Sequence, residues 1–386
     1  MSSPRLIYMD HNATTPLDPR VLSAMMPYLT EHFGNPSSTS HAFGLAAAEA
    51  VEAGRQRTAR LIGASAAEVL FTSGATESDN TAIKGVAWAS EERGRHIVTT
   101  CIEHRAVLES CRFLESRGFE VTYVPVDSHA VVDPDEVRRA VRSDTILVSV
   151  MHANSEVGSM QPVRAIGMMC RERGIPFHVD ATQTVGKVPV DVESIGADFV
   201  AFSGHKIYGP KGIGGLFARR RRRFVPLHSG GGQEKGRRSG TGNTPGIVGL
   251  GAACDLAASD LAVEEERLRG LSRRFLDGVC ARIDGVVLNG HPNDRLPNNI
   301  NLSFEHVEAE GLIAALRSVA VSSGSACANE QREPSYVMKA MGASDERAHA
   351  AVRFGFGRIT TEQDVDEVVD RLEEAVRRQR TMSHVT

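Results

Sequence analysis

The sequence predicts an α/β protein in which helices sandwich a mostly parallel, seven-stranded sheet, joined to a smaller α+β domain. Two observations indicate this fold. Short runs rich in β-forming residues alternate with helix-length segments from residue 69 to residue 218, and this pattern changes after about residue 255. A chain of 386 residues is long enough for one large domain and one smaller domain.

Seven runs are candidates for the strands of the large sheet. They cover residues 69–72, 97–101, 121–124, 146–151, 177–180, 199–202 and 214–218. Segments such as 105–117 and 163–173 separate most of them and have helical length, which is typical of parallel strands joined by helical crossovers.

The region after residue 255 predicts a different arrangement of elements. It suggests a long charged helix at 257–283, strands at 286–289 and 299–304, and a closing helix at 362–378. We therefore assign residues 16–255 to the large domain, and residues 1–15 with 256–386 to the small one.

Composition excludes several classes of partner. The chain is 41% hydrophobic and 24% charged, and its net charge of −4 favours neither direct nucleic-acid binding nor an anionic membrane surface. No apolar run approaches the roughly 20 residues that span a bilayer, and residues 1–5 do not resemble a signal peptide. We expect a cytoplasmic enzyme or binding protein.

The six cysteines are scattered without a CxxC spacing, which argues against a metal site and a disulfide framework. Five of them have apolar or helical surroundings, as buried cysteines usually do. Cys327 lies instead in a run of small and polar residues, 322–330, which is typical of an exposed loop.

Lys206 and Asp180 together point to pyridoxal phosphate. This cofactor needs a lysine amine to hold it as a Schiff base, and a buried carboxylate to keep its pyridine nitrogen protonated. Either residue alone would be unremarkable, since most lysines are solvated and an Asp after a strand often caps a turn. Both follow a predicted strand, as do His104 and Ser155, so all four should meet in one crevice beyond the carboxyl ends of the strands.

A phosphate site is predicted where the strand at 69–72 turns through Gly74 into a helix. The hydroxyls and free amides of residues 72–78 suit an anion at a helix start, and Ser203 and His205 could add donors. His104 could stack on an aromatic cofactor or move protons. The five arginines at 219–223 favour a solvated turn or a protein-docking surface.

Several long motifs in one order resemble the cysteine desulfurases of the NifS and IscS kind, in the class V aminotransferase group of fold-type I pyridoxal enzymes. They occur at residues 10–16, 34–38, 71–80, 101–104, 178–183, 203–212, 238–241 and 322–327, and at Arg353. The resemblance covers essentially the whole chain.

The resemblance implies a role for each candidate residue. Lys206 would hold the cofactor and shuttle the Cα proton, Asp180 would pair with the pyridine nitrogen, and His104 would stack on the ring. The other implied cofactor ligands are Gln183 for the phenolic oxygen, Ala75, Thr76, Ser203 and His205 for the phosphate, and Thr241 from a second subunit. The last contact implies a homodimer.

The resemblance also implies the chemistry at the substrate. Arg353 would clamp the carboxylate of L-cysteine, and Cys327 would attack its sulfur, so that alanine leaves and a persulfide remains for an acceptor protein. The family usually has Asn-Asn-Glu where this chain has Asn154-Ser155-Glu156. Ser155 could reach the cofactor oxygen through water, Asn154 could shift to compensate, or substrate handling could be altered.

The sequence therefore predicts a cysteine desulfurase that supplies sulfur for iron–sulfur clusters, thiolated RNA or sulfur-containing cofactors. No resident metal is expected, apart from a passing contact of Cys327 with a cluster. The alternatives are a selenocysteine lyase or another class V lyase, and, more remotely, a non-catalytic scaffold that docks through the arginines at 219–223.

Overall fold

The computed structural model describes residues 5–323 and 334–383. The strands in these ranges are β1 (Ile7–Tyr8), β2 (Val69–Thr72), β3 (His96–Thr100), β4 (Glu120–Val124), β5 (Thr145–Ser149), β6 (Phe177–Asp180), β7 (Phe199–Ser203), β8 (Gly214–Ala218), β9 (Val286–Asn289), β10 (Asn299–Phe304), β11 (Val319–Ala320), β12 (Ser322–Ser323) and β13 (Ala351–Gly355). The helices are α1 (Pro19–Thr30), α2 (Ala42–Leu61), α3 (Ala75–Ala89), α4 (Arg105–Glu115), α5 (Pro134–Ala140), α6 (Val163–Glu172), α7 (Val192–Ile195), α8 (Thr244–Arg282), α9 (Ala309–Ala315), α10 (Tyr336–Ala340), α11 (Asp345–His349) and α12 (Glu362–Ser383).

The large sheet has the strand order β2-β8-β7-β6-β5-β3-β4. Pairing is parallel from β4 through β3, β5 and β6 to β7, whereas β8 runs antiparallel to both β7 and β2. The predicted mostly parallel, seven-stranded sheet is confirmed. Because only β8 is reversed, the other six strands all end at the same edge of the sheet.

Both faces of this sheet are buried, which explains why its strands are apolar runs rather than alternating ones. Neighbouring residues of one strand point to opposite faces. Ile97 and Leu147 belong to the core under α3 and α4, and Val98 and Val148 belong to the core on the other face.

The short connection from β7 to β8 brings the chain back without a helical crossover and carries residue 206 at the sheet edge. It is possible because antiparallel strands need no long connection. Glycine is required at the start of β8, since a Cβ on Gly214 would lie 2.6 Å from the Cα of Gly74, and one on Gly215 would lie 2.2 Å from the Phe202 ring.

Helix α8 links two cores. Its first half contributes Ile247 and Leu250 to the core of the large sheet, and its second half contributes Leu271 and Phe275 to a separate core. The helix starts thirteen residues before the predicted position and runs through residue 255, where we expected a domain boundary. One stretch of it is apolar and long enough to cross a membrane, contrary to expectation, but half of that stretch is buried inside the protein.

The second core lies under a four-stranded antiparallel sheet with the order β12-β13-β10-β9. Helix α12 and the second half of α8 pack on it, and Ile7 and Met9 from the N-terminal segment join the same core. β1 pairs in parallel with β11, and Asp10 forms a bridge to Gly355 at the end of β13. Residues 7–10 are thereby held beside β11 and the end of β13.

We expect Phe275→Ala to destabilise the protein strongly. Phe275 is fully buried, and its ring centroid lies 4.7 Å from that of Phe354 and 5.5 Å from that of Phe356. Removing such a ring leaves a cavity and should lower the free energy of unfolding by ~3–5 kcal/mol. Urea denaturation would measure this, with Val263→Ala on the exposed face of α8 as the control, expected within ~0.5 kcal/mol of the parent. Equal midpoints for both variants would contradict the prediction.

Candidate active site

A cleft of about 840 Å³ opens at the edge where the parallel strands end. It brings together most residues that the sequence singled out. The predicted residues on its wall are Ala75, Thr76, His104, Ser155, Asp180, Gln183, Ser203, His205, Lys206 and Arg353. Convergence of residues from five different strand ends is the arrangement expected for a ligand site in a sheet of this kind.

Lys206 ends a short helical turn, Gly204–Lys206, directly after β7. Its Nζ donates hydrogen bonds to the backbone oxygens of Asn12, at 2.5 Å, and Ala13, at 2.7 Å. The amine is therefore fixed at the floor of the cleft by the N-terminal segment, in reach of a ligand on the open side.

Asp180 is the cleft-facing member of three buried acids. Asp79 is fully buried behind it, and its pKa is raised well above the usual range by burial, with a further increase from Asp180 and Glu103. Burial also raises the pKa of Glu103 to about 8. Burial thus favours the neutral form of both hidden acids.

His178, which lies beside Asp79, is also shifted to its neutral form by burial. Burial lowers the pKa of His178 to about 4, so its ring is neutral where Nε2 lies 3.3 Å from Asp79 Oδ1. Asp79, His104 and Asp180 bring their ligand atoms within 4.8 Å of one another, which is close enough for a metal ion.

His104 precedes α4 and its Nδ1 accepts a hydrogen bond from the amide of Ala106 at 3.1 Å. An accepting Nδ1 assigns the proton of the neutral ring to Nε2. Burial lowers the pKa of His104 below the usual value, which favours this neutral form. The ring can therefore accept a stacked ligand and still donate or receive a proton at one defined atom.

The start of α3 forms an anion site. Gly74 occupies the position before the helix with φ 155° and provides no side-chain cap, so amides of the first turn remain available. Thr76, Ser203 and His205 add polar groups on the same wall. Glu77 accepts a hydrogen bond from the Ser73 amide, and its carboxylate is neutralised by Arg238 at 2.9 Å.

The N-terminal segment contributes groups to which the sequence analysis assigned no role. Asn12 Nδ2 donates to Gln183 Oε1 at 3.3 Å, and Gln183 Nε2 donates to the Asn12 oxygen at 3.1 Å. Lys187 Nζ also donates to Gln183 Oε1, at 3.3 Å, and its pKa is lowered to about 7, mainly by burial. The motif at residues 10–16 was the available signal, since a polar run at a chain start needs partners when it is buried.

Arg353 lies on β13 at the opposite wall and is nearly buried. Its Nη2 donates to Asp10 Oδ1 at 2.8 Å, and its Nη1 donates to the backbone oxygen of Ser155 at 3.0 Å. Ser155 thus contacts the site through its carbonyl as well as lining the cleft.

Asn154 differs from the sequence expectation of a substrate contact. Its Nδ2 donates to the Ile102 oxygen at 3.1 Å, and its Oδ1 accepts from the amides of Glu156, at 2.9 Å, and Val157, at 3.1 Å. The side chain is buried and does not line the cleft, because it holds the turn after β5 together.

Two predicted site residues, Thr241 and Cys327, are not among the described residues that line the cleft. Thr241 is exposed and does not line the cleft of its own chain, while Cys327 falls outside the described residues. In the ranges that are described, no cysteine lines the cleft, and burial raises the thiol pKa of each. These thiols are Cys101, Cys111, Cys170, Cys254 and Cys280.

Known proteins resemble this chain over nearly its whole length. The family model "Aminotransferase class-V" matches residues 7–368. The Homo sapiens protein named "Cysteine desulfurase" is 51% identical over 381 residues, which cover 98% of this chain and 83% of that protein. "Cysteine desulfurase IscS" of Anaeromyxobacter sp. (strain Fw109-5) is 52% identical over 379 residues, or 98% of this chain and 94% of that protein.

Solved structures show the same relationship. One described as "NIFS-LIKE PROTEIN" has a TM-score of 0.91 and 38% identity, covering 96% of this chain and 99% of the other. Another, "SspA in complex with cysteine", has a TM-score of 0.81 and 35% identity, covering 91% and 98%. The chain therefore belongs to the class V aminotransferase family, among the cysteine desulfurases of the NifS and IscS type.

Proposed function

We propose that this protein is a pyridoxal-phosphate-dependent desulfurase that converts L-cysteine to L-alanine and takes the sulfur as a persulfide on Cys327. The observation that supports it most is the meeting of Lys206 and Asp180 in one cleft, between an uncapped helix start and Arg353. An amine, a carboxylate, an anion site and a guanidinium match the parts of a phosphorylated cofactor with an amino-acid substrate.

The residues present fit the cofactor that the family uses. The free amides at the start of α3 suit its phosphate, and the Ser203 hydroxyl lies beside them, 3.5 Å from the position that a Cβ on Gly74 would take. Asp180 would face the pyridine nitrogen and Lys206 would hold the cofactor through its amine. When bound, pyridoxal phosphate supplies an electron-accepting ring that stabilises negative charge at the substrate Cα.

Protons would move between groups that the fold already holds in place. Lys206 Nζ lies at the floor of the cleft, where it would take the proton from Cα. His104 would stack on the ring and pass a proton at Nε2, since its Nδ1 is occupied by the Ala106 amide. Arg353 would bind the α-carboxylate through its planar fork of N–H groups.

Sulfur transfer would then need one thiolate. The Cys327 thiolate attacks the substrate sulfur, a new S–S bond forms and the substrate C–S bond breaks. The carbon takes up a proton, and L-alanine leaves. Cys327 is the proposed thiol from its sequence setting, and the raised thiol pKa values of the five described cysteines do not favour them for this step.

Lys206→Ala should abolish both the visible absorbance of bound cofactor and alanine formation from L-cysteine, because the covalent attachment and the proton acceptor are lost together. The two readings are a spectrum of the purified protein and an alanine assay. Lys339→Ala, on the exposed surface of α10, is the matched control and should keep both. A normal spectrum in the Lys206 variant would refute the assignment.

Cys327→Ala should keep the cofactor spectrum and lose alanine formation, since the substrate could bind but its sulfur would have no acceptor. Cys280→Ala removes an exposed cysteine that does not line the cleft, and its activity should match the parent protein. Alanine release at the parent rate from the Cys327 variant would overturn the persulfide route.

A homodimer is part of this proposal. Phe33 and Phe43 are 70% and 56% exposed and stack at 5.7 Å, an apolar pair that water does not favour. A Cβ on Gly242, the residue after Thr241, would lie 3.4 Å from Pro36, three residues after Phe33. A second copy covering it would receive Thr241 near its own phosphate site.

The charged variant Phe33→Glu should therefore shift the protein toward monomers in sedimentation velocity and weaken cofactor retention. Met382→Glu, at an equally exposed apolar position far along the chain, should do neither. Unchanged sedimentation of the Phe33 variant would contradict this interface.

The acceptor of the sulfur and the cellular location of the protein are also part of the proposal. We assign the persulfide to an acceptor protein, and the free thiols among the described residues suit a reducing compartment such as the cytoplasm.

The alternative of a selenocysteine lyase is not favoured by the names of the relatives. A scaffold that docks through 219–223 is weakened because Arg219 and Arg222 already pair with Asp198, at 3.4 and 2.9 Å.

A further inference from the structure

Asp10 links two neighbouring side chains of the four-stranded sheet, Arg353 on β13 and Ser322 on β12. One carboxylate oxygen, Oδ1, accepts from Arg353 Nη2 at 2.8 Å, and the other, Oδ2, accepts from the Ser322 hydroxyl at 2.7 Å. Ser322 is also the residue directly opposite Arg353 in the pairing of β12 with β13. The three side chains therefore form one hydrogen-bonded network with Asp10 at its centre.

This group is well shielded from water. The side chains of Arg353 and Asp10 are 6% and 16% exposed. Exposed ion pairs contribute little because both partners are solvated and mobile, but a shielded pair that loses one partner leaves an uncompensated group behind. The interaction can therefore hold a guanidinium in one orientation.

The backbone around Asp10 is fixed as well. The amide of His11 donates to the Gly355 oxygen at 3.2 Å, and the amide of Gly355 donates to the Met9 oxygen at 2.7 Å. Both contacts lie within two residues of the ion pair, on either side of it. These hydrogen bonds hold the backbone of Asp10 in place, so its carboxylate restricts the orientation of the Arg353 side chain.

Two of the three nitrogens of Arg353 have a partner. Nη2 contacts Asp10 and Nη1 contacts the Ser155 oxygen, whereas Nε is buried and has no partner among the described residues. A guanidinium is flat, so two fixed nitrogens define its plane and the direction in which its remaining N–H groups point. Bidentate binding of a carboxylate depends on that direction.

The same short segment also contacts Lys206. The backbone oxygens of Asn12 and Ala13 receive the Lys206 amine, two and three residues after Asp10. The amine and the guanidinium are thus positioned against one rigid piece of chain. The distance between the amine and the guanidinium determines which amino acids can place their Cα near Lys206 while their carboxylate binds Arg353.

We propose that Asp10 is a positioning residue for recognition of the substrate α-carboxylate: it orients Arg353 relative to Lys206 without contacting the substrate. This inference rests on the proposed function, in which Arg353 binds that carboxylate. It concerns the carboxylate alone, so ligands without a carboxylate should not depend on Asp10.

The test compares two ligands on the cofactor-loaded protein. L-Alanine carries the α-amine and the carboxylate but no sulfur, and cysteamine carries an amine and a thiol but no carboxylate. Asp10→Ala should weaken L-alanine binding about tenfold, the usual effect of losing a hydrogen bond to a charged group, and leave cysteamine binding within about twofold. Changes in the absorbance of the bound cofactor report both affinities.

Turnover gives a second reading. In Asp10→Ala the KM for L-cysteine should rise about tenfold, with kcat within about twofold, because a uniform binding contact is lost. Asp10→Asn keeps one acceptor for Arg353 and should show a smaller rise. A general structural defect would instead lower kcat and weaken both ligands together, and that result would overturn the proposal.

Two further variants keep the test decisive. Ser322→Ala removes only the support of Oδ2 and should weaken L-alanine binding about two- to threefold, even if Asp10→Ala does not fold. Asp18→Asn is the matched control: Asp18 pairs with Arg358 at 3.2 Å at similar exposure, outside the cleft, and L-alanine binding should be unchanged.

The remaining outcomes separate this inference from the proposed function. Tighter L-alanine binding in Asp10→Ala would mean that Asp10 competes with substrate for Arg353, which contradicts a positioning role. Unchanged L-alanine affinity in both Asp10→Ala and Ser322→Ala would also overturn it. If Arg353→Met retains full L-alanine affinity, the carboxylate site of the proposed function fails instead, whatever the Asp10 variants do.

Discussion

The turn at residues 10–14 is held between two separate cores, and the geometry of the cleft depends on it. From the side of the large sheet it receives Lys206, Gln183 and His205, and from the second core it receives Arg353. Ile7 and Met9, just before the turn, are buried in the second core. A few buried side chains at the chain start thus fix the distance between groups that are more than a hundred residues apart in sequence.

Burial determines where charge resides around this turn. Burial raises the pKa of Asp79 and Glu103 and lowers the pKa of Lys187, so each of these groups is shifted toward its neutral form. Of these three neighbouring acids, Asp180 is the one that lines the cleft. Replacing water by protein, rather than adding opposite charges, keeps these neighbouring acids compatible in one site.

Much of the large sheet could be predicted because both of its faces are buried, which leaves apolar runs that are easy to recognise in the sequence. The start of α8 was missed by thirteen residues, since its Gly- and Ala-rich first half is buried on several sides and has no polar face to mark a helix. The structural contacts of Asn154 could not be predicted for a related reason: an amide suits a ligand and a turn equally well, and the sequence does not show its backbone partners. The pairing of Asp10 with Arg353 joins positions 343 residues apart, which no local pattern reveals.

The unbroken course of α8 through both cores has a consequence for how this architecture can change. One added residue in a helix rotates everything beyond it by about 100° and shifts it by about 1.5 Å. An insertion near the middle of α8 would turn the core of the second sheet away from the first, and Arg353 would leave the wall opposite Lys206. Insertions and deletions should therefore be tolerated in the loops around the cleft long before they are tolerated in this helix, whose length sets the alignment of the two halves of the site.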